Sequence, residues 1–432
     1  MKRVVIRGGR VIDPAGNLDG LYNIYVMGGR VARILPAESD AGGVDAGSPD
    51  VELIDASGLL VTPGLVDIHT HLREPGFEYK ETIKTGTGAA AAGGFTTILC
   101  MANTMPVNDN QSVTRYIIKK AQAEGAVKVR PVGAVSCGLK GERLAEIAEL
   151  KEAGCVAVSD DGFPVANPNL MRRALEYTRG VGIPLITHAE DPVITGSGVM
   201  NEGSVSTMLG LRGIPAAGEA SMVARDIMLA ELAGGRLHIA HVSTMGAVEC
   251  IRRAKEKGLS VTAEVTPHHL KFTDESLSGY NTDFKMNPPL RTQKDVDALK
   301  EALKDGTIDC IATDHAPHSV IEKDVEFVSA ANGVIGLETA FSALYPLVEE
   351  GSLTLPELVG LMTLNPSRAM NLDSGTLAVG APADITIIDL EKTWVVEPGE
   401  IKSRSKNTPF AGLEMKSRVV RTIVDGDTVY KG

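Results

Sequence analysis

Two histidines separated by one residue, His69 and His71, end the β-prone run LVDIHTH (65–71). In an extended strand, residues two apart share a face, so both imidazoles would project to the same side. The pair is weak evidence alone, because two of the nine histidines in 432 residues can fall two apart by chance. Residues of metal-ligating type also end later runs of the same kind. Asp161 closes CVAVSDDG (155–162), His188 closes PLITHAE (184–190), His241 sits in RLHIAHVS (236–243) and Asp314 in IDCIATDHAP (308–317). Each has a plain structural use when taken singly: a hydrogen-bonded histidine, a turn aspartate in DDG, a helix cap before HAPH. Six of them at the carboxyl ends of five strand candidates point instead to one centre. Four neutral imidazoles and two carboxylates suit a borderline divalent ion such as Zn2+, and they outnumber the ligands of one tetrahedral zinc. Two zinc ions sharing a bridging carboxylate fit that inventory.

The elements that must position these residues follow a rhythm from about residue 60. The runs FTTILCMAN (95–103), KVRPVGAVS (128–136) and SVTAEVTPHH (260–269) complete a set of eight short β-prone segments. Between them lie stretches with helical spacing, such as 111–125, 141–154, 167–180 and 245–258, each ending in Gly, a common helix stop. Eight β/α repeats predict a closed parallel (β/α)8 TIM barrel, with an open doubly wound sheet as the alternative. A barrel of this kind places chemistry at the carboxyl ends of its strands, where the six residues fall. The ends of the chain lack long helical periods and hold short alternating strands: RVVIRGGRVID, NIYVMGGRVARIL, ADITIIDL and RVVRTIVDGDTVY. The expected organisation is therefore a barrel over residues 61–370, with residues 1–60 and 371–432 together forming one small β-sandwich domain.

Composition limits the partners. The chain is 43% hydrophobic, enough for a packed core, yet no stretch approaches the roughly 18–20 uninterrupted apolar residues of a membrane span. Its start turns to Gly and Asp before an apolar region develops, which argues against a signal peptide. Five scattered cysteines without CxxC spacing suit reduced thiols in the cytoplasm. A formal charge of −12 disfavours nucleic acid and anionic membranes. It does not disfavour a small anionic substrate, because a metal and one arginine reverse the sign locally.

The string GLVDIHTHLREPG (64–76) closely resembles the metal-binding signature of dihydroorotases and related amidohydrolases. ATDHAPH (312–318) resembles a second signature of that family, and MANTMPVND (101–109), THAED, AHVST, MNPPLR (286–291) and GAPADITIIDL also match its pattern. The resemblance spans essentially the whole chain and is to the long, bacterial-type (class I) dihydroorotases. It implies His69, His71 and Asp314 on one zinc, His188 and His241 on the other, and Asp161 as the bridge. Hydantoinases and other branches carry a carboxylated lysine on the fourth strand, where this chain has VSDDG and no lysine. For the substrate, the resemblance implies that His71, Arg73 and Asn103 face its carboxylate, with His318 helping and Asn287 on the ring. Asn332 and Gly333 occupy a loop that often reads Phe-Gly in relatives. A guanidinium is the natural fork for a carboxylate, so the chemistry of Arg73 agrees.

The implied reaction is the reversible cyclisation of N-carbamoyl-L-aspartate to dihydroorotate in pyrimidine biosynthesis. Metal coordination makes hydroxide available at neutral pH, and Asp314 is the expected general acid–base. Ring closure consumes a proton, so lower pH favours the ring. Two other readings compete. A hydantoinase or allantoinase would open a ring lacking the carboxylate that Arg73 and Asn103 suit. A non-catalytic partner of aspartate carbamoyltransferase would have lost ligands, whereas all six are present. The family further implies a homodimer, and association of the active protein with that transferase is compatible with it. Of the remaining histidines, His238 is expected to point away from His241 as packing, His268 and His269 to be structural, and His315 to turn from the metals.

Overall fold

The computed structural model describes residues 3–39 and 51–432. From residue 65 the β/α rhythm becomes a barrel. Its eight parallel strands are Leu65–Thr70, Phe95–Cys100, Lys128–Gly133, Ala157–Ser159, Leu185–Thr187, Leu237–Ile239, Val261–Val265 and Cys310–Ile311. They pair in chain order, first to eighth. A parallel bridge between Thr70 and His315 brings the last strand back to the first, and the His71 N–H donates to the His315 carbonyl at 2.8 Å.

The helices follow from the same sequence signals. Pro168–Val181 begins where the Asn167 side chain accepts from the Asn169 and Leu170 N–H groups, and Pro168 pre-sets the first turn. It ends at Gly182, which adopts the left-handed conformation at φ 76°. Its buried residues, Leu170, Met171, Ala174, Leu175 and Thr178, recur at helical spacing and make one stripe against the strands. One expectation needs correcting: the stretch 141–154 is helical only over Ile147–Ala153. The preceding residues are diverted because Cys137 N–H bonds the Arg143 carbonyl and Ala145 N–H bonds the Val135 carbonyl, so their backbone extends the third strand's loop.

Two apolar layers result. Outward residues such as Ile98, Val158, Leu185, Ile239 and Ala263 pack against the helices in the main core. A second cluster draws Val66, Ile68, Leu99, Val132, Ala157, Ile186 and Cys310 from six of the eight strands and Met101, Ala240 and Ala312 from the residues just past strand ends, and so fills the barrel interior. Ala369 and Met370, from the helix Leu364–Met370, join that cluster.

The chain ends meet in one sheet. Arg3–Asp13, Leu18–Met27, Arg30–Pro36, Val51–Asp55 and Leu60–Pro63 join Ile385–Val395, Glu414–Val424 and Asp427–Lys431 as eight hydrogen-bonded strands. The seam is the antiparallel pairing of Leu60–Pro63 with Ile385–Ile388. Alternation then works as in any half-buried strand: Val4, Ile6, Ile24, Val26, Ile385, Ile387 and Ile423 share one apolar cluster. Residues 1–2 and 40–50 of the N-terminal portion lie outside the described residues. The sheet is tied to the barrel by polar contacts at the barrel's edge. Lys128 Nζ lies 2.8 Å from both Asp384 and Asp425, Thr386 Oγ1 donates to the Gly94 carbonyl at 2.6 Å and Thr422 Oγ1 to the Ala91 carbonyl at 2.6 Å. All five cysteines are free, and no helix among the described residues is long and apolar enough to cross a membrane.

Leu99 is wholly buried inside the barrel, so Leu99→Ala removes apolar volume that neighbouring strands cannot collapse to fill. The expected loss is about 2–5 kcal/mol, read as a lower urea-unfolding midpoint with an unchanged slope. A midpoint equal to that of the unaltered protein would contradict this packing of the interior.

Candidate active site

The six residues marked by strand-end spacing come together at the carboxyl end of the barrel, buried at the base of one pocket. Asp161 is at the centre. Its Oδ1 lies 3.3 Å from His69 Nε2, 3.5 Å from His241 Nε2 and 3.7 Å from His188 Nδ1, and its Oδ2 lies 3.4 Å from His71 Nε2. Asp314 Oδ1 stands 3.1 Å from His71 Nε2 and 3.5 Å from His69 Nε2. One carboxylate thus faces all four imidazoles. The adjacent Asp160 points elsewhere. It accepts from the Val135 and Ser136 N–H groups and from the Ser136 hydroxyl, which fixes the turn and leaves Asp161 to face inward.

Backbone conformation aims three of the site's side chains. Arg73, His241 and Asp314 have φ values of 62°, 33° and 46°, in the left-handed region that L-residues enter at a cost. Strain of this kind, of order 1–3 kcal/mol per residue, persists where surrounding structure holds it, and it concentrates at functional sites. It also overturns one expectation. Because the backbone turns at His241, His238 does not face away as packing. It is fully buried, with Nε2 3.1 Å from Glu264 Oε2 and Nδ1 2.8 Å from Thr262 Oγ1.

Glu264 is the residue that reading the sequence missed. Its Oε1 lies 2.5 Å from His69 Nδ1, so the carboxylate accepts a hydrogen bond from Nδ1–H of His69 and leaves the Nε2 lone pair facing Asp161 and Asp314. Asn103 Oδ1 does the same for His71 at 2.9 Å, and Glu190 Oε2 for His188 Nε2 at 3.0 Å. The signal for Glu264 was readable: a charged residue in the middle of the apolar run SVTAEV. Asp67 is similar, a carboxylate inside LVDIHTH. It accepts from His69 N–H at 3.0 Å and from Thr313 Oγ1 at 2.5 Å, tying the first strand to the eighth, and burial pushes its carboxyl up to about 7.

The electrostatics demand positive charge. Burial opposes a charged His69, yet the fields of Asp161, Glu264 and Asp314 outweigh it and raise that imidazole well above its ordinary value. His188 rises to about 10 against burial, through Asp161 and Glu190. Burial likewise opposes ionisation of Asp161 and Asp314, but His69 and the neighbouring imidazoles hold both carboxyls below the usual range. Meanwhile His69 Nε2 and Asp161 Oδ1, 3.3 Å apart, are buried without a hydrogen-bond partner, and His188 Nδ1 and His241 Nε2 face each other at 2.9 Å. Lone pairs aimed at one another across 3–4 Å repel unless a cation lies between them. Two sets of donors, His69 with His71 and Asp314, and His69 with Asp161 and His241, each lie within 4.8 Å of one another. Residues and geometry therefore fit a divalent metal with nitrogen and oxygen ligands.

Above the cluster is a cavity of about 220 Å³ lined by His71, Arg73, Asn103, Asp161, His188, His241, Asn287, Asp314, His318, Asn332 and Gly333, together with Gly162, Phe163 and Ala316. Sequence reading gave no site role to these last three or to Glu190 beneath, although Gly162 lies in VSDDG, Ala316 in ATDHAPH and Glu190 in THAED. Arg73 is buried, donating to the Pro317 carbonyl at 3.2 Å and to His318 Nε2 at 3.3 Å, and it has no carboxylate ion-pair partner among the described residues. Burial pulls its guanidinium down to about 10, so it stays charged at neutral pH. His318, buried beside Arg73, is pushed down to about 2 and stays neutral. Asn287 Nδ2 donates to Glu190 at 2.7 Å. His269 Nε2 lies 3.0 Å from the adjoining Pro288 carbonyl, and His268 is buried next to it. His315 turns from the cluster toward buried Glu81, 3.5 Å away.

Comparison with known proteins agrees with this geometry. A Dihydro-orotase-like family model matches residues 58–247, and an Amidohydrolase family model matches residues 213–430. The dihydroorotase of Geobacter metallireducens is 58% identical over 99% of both chains, and that of Syntrophotalea carbinolica is 54% identical over 99% of both. This chain belongs to the dihydroorotase family. Among solved structures, an L-hydantoinase from Arthrobacter aurescens superimposes with a TM-score of 0.89 at 27% identity, over 100% of this chain and 96% of its own. A dihydropyrimidinase from Brevibacillus agri gives 0.85 at 24% identity, over 99% and 95%, a likeness of fold alone. Within the dihydroorotase family, the pocket of this member is lined by an aspartate past its fourth strand and by no lysine.

Glu264 orients His69 from outside the donor set, so Glu264→Ala is expected to weaken metal retention about 10–100-fold against a competing chelator. Elemental analysis after dialysis reads this, with far-ultraviolet circular dichroism as the check on folding. Retention equal to that of the unaltered protein would show that Glu264 does not orient a metal ligand.

Proposed function

We propose that the protein is a metal-dependent dihydroorotase that interconverts N-carbamoyl-L-aspartate and dihydroorotate. The observation that carries the reading is Arg73: a buried guanidinium without a carboxylate ion-pair partner among the described residues, facing the same small cavity as the histidine–aspartate cluster. A cation kept dry in this way suits a substrate that brings its own carboxylate. Dihydroorotate has one beside the ring amide, whereas hydantoin and allantoin do not.

In this reading His69, His71 and Asp314 would hold one zinc, His188 and His241 a second, and Asp161 would bridge them. Bound there, the metals supply Lewis-acid polarisation and hydroxide at neutral pH. Arg73, Asn103 and His318 seat the substrate carboxylate, Asn332 and Gly333 line the same end, His71 stands beside it and Asn287 meets the ring. Asp314, its carboxyl held below the usual range by its imidazole neighbours, is present as the carboxylate that a general base must be. In the ring-opening direction it takes the proton of the attacking water and gives it to the ring nitrogen as the amide C–N bond breaks. In ring closure it takes a proton from the attacking carbamoyl nitrogen and delivers it to the departing carboxylate oxygen, which becomes water with the further proton that closure consumes. A homodimer, contact with aspartate carbamoyltransferase and a cytoplasmic setting belong to the same reading through family resemblance.

The test offers zinc-loaded protein dihydroorotate, hydantoin and allantoin side by side. Turnover of dihydroorotate in preference is expected; preference for hydantoin or allantoin would sink the assignment. Asp314→Asn should lower kcat by at least about 10²-fold, and near-normal turnover would exclude it as the acid–base. Arg73→Ala should raise KM for dihydroorotate roughly 10–100-fold, the worth of hydrogen bonds to a charged group, with a smaller change in kcat.

A further inference from the structure

Asn407 lies far along the chain from every residue of the pocket, between the sheet strands Ile385–Val395 and Glu414–Val424. It nevertheless ends at the barrel mouth. Its Oδ1 accepts from the His318 backbone N–H at 3.1 Å, and its Nδ2 donates to the Ala316 carbonyl at 3.1 Å and to the Gly333 carbonyl at 3.0 Å. Its own carbonyl accepts from Ile335 N–H at 2.9 Å. A primary amide has two hydrogens and one oxygen to offer, and here all three are engaged in burial. Both loops that it holds line the pocket: Ala316 and His318 follow the eighth strand, and Gly333 stands beside Asn332.

The two loops are in close register at this point. A Cβ on Gly333 would meet Ala316 Cβ at 2.7 Å and His318 Nε2 at 3.2 Å. The Gly333 loop has further ties on its other side, where Lys323 Nζ donates to the Gly333 carbonyl at 3.1 Å and the Gly333 N–H donates to the Lys285 carbonyl at 3.0 Å. Only Asn407 bonds both loops through one side chain among these contacts. Its segment is itself anchored: Arg404 N–H donates to Glu81 at 3.1 Å, Ser405 Oγ to the Lys80 carbonyl at 2.6 Å and Ser403 N–H to Glu338 at 3.0 Å.

We infer that Asn407 is a positioning residue for substrate binding: it sets His318 against Gly333 at the Arg73 end of the pocket, from a segment outside the barrel. The kinetic part rests on the dihydroorotase reading. Placement, not proton transfer, is its contribution, so its loss should appear in KM rather than in kcat.

The test compares Asn407→Ala and the near-isosteric Asn407→Asp with the unaltered zinc-loaded protein. The aspartate keeps an acceptor for His318 N–H but turns a carboxylate oxygen on the Ala316 and Gly333 carbonyls. For both variants KM for dihydroorotate should rise about tenfold or more with kcat within about threefold, the scale of lost buried hydrogen bonds. Hydrogen–deuterium exchange should quicken in peptides covering 316–335 and stay unchanged in those covering the six histidine and aspartate residues before them. Unchanged exchange in 316–335, or a fall in kcat with KM unmoved, would overturn the inference. If the unaltered protein leaves dihydroorotate untouched, the functional reading fails, and the exchange result alone still decides whether Asn407 holds these loops.

Discussion

Everything at the mouth of this barrel is arranged around one electrostatic problem. Four imidazoles and two carboxylates are kept dry within a few ångström of one another, with lone pairs converging on Asp161. Left to itself such a cluster would take up protons or let in water, since buried unpaired polar atoms are costly. It stays organised because a shell of acceptors behind it dictates which nitrogen carries the proton in three of the four rings. Glu264, Asn103 and Glu190 do this for His69, His71 and His188, and His238 steadies Glu264 in turn. The result is a set of lone pairs facing inward, a demand for a cation built from side-chain orientation.

The barrel explains how such a cluster can exist at all. Short strands end together, and the apolar interior beneath, from Val66 to Ala312, keeps solvent out from below. The Thr70–His315 closure and the Asp67–Thr313 contact join first strand to last. Residues separated by more than two hundred positions therefore share one rim. The site is not the barrel's alone, because the segment carrying Ser403 and Asn407 runs back from the terminal sheet to the loops around the pocket. The sheet formed by the chain ends thus serves the site through that segment, beyond burying its own core.

Much of this was legible in the chain. The alternation of β-prone runs with Gly-terminated helical stretches predicted the barrel, and chemistry-bearing residues at strand ends predicted where the site would lie. Legibility failed where local rules give way to tertiary contacts. The stretch 141–154 has helical spacing, but its first residues spend their backbone hydrogen bonds on the third strand's loop. His238 was misdirected by strict strand alternation, which the left-handed turn at His241 breaks. Glu264 left a trace, a charge in an apolar run, and Glu190 another, in THAED beside His188, whereas Phe163 and Asn407 left none, since nothing near them in sequence reveals what they approach in space.

What the sequence by itself determined is the inventory and its periodicity: which ligand types exist, at which strand ends, and which elements carry them. Periodicity is a local property, fixed by backbone geometry and by the need to bury one face. What only the tertiary structure decided is which atoms meet. One carboxylate, Asp161, stands within 3.3–3.7 Å of all four imidazoles, Glu264 rather than solvent accepts from His69 Nδ1–H, and Asn407 reaches a pocket on another part of the chain. Those choices depend on closing the barrel and on hydrogen bonds between residues far apart in sequence, and no pattern along the chain encodes a distance across it.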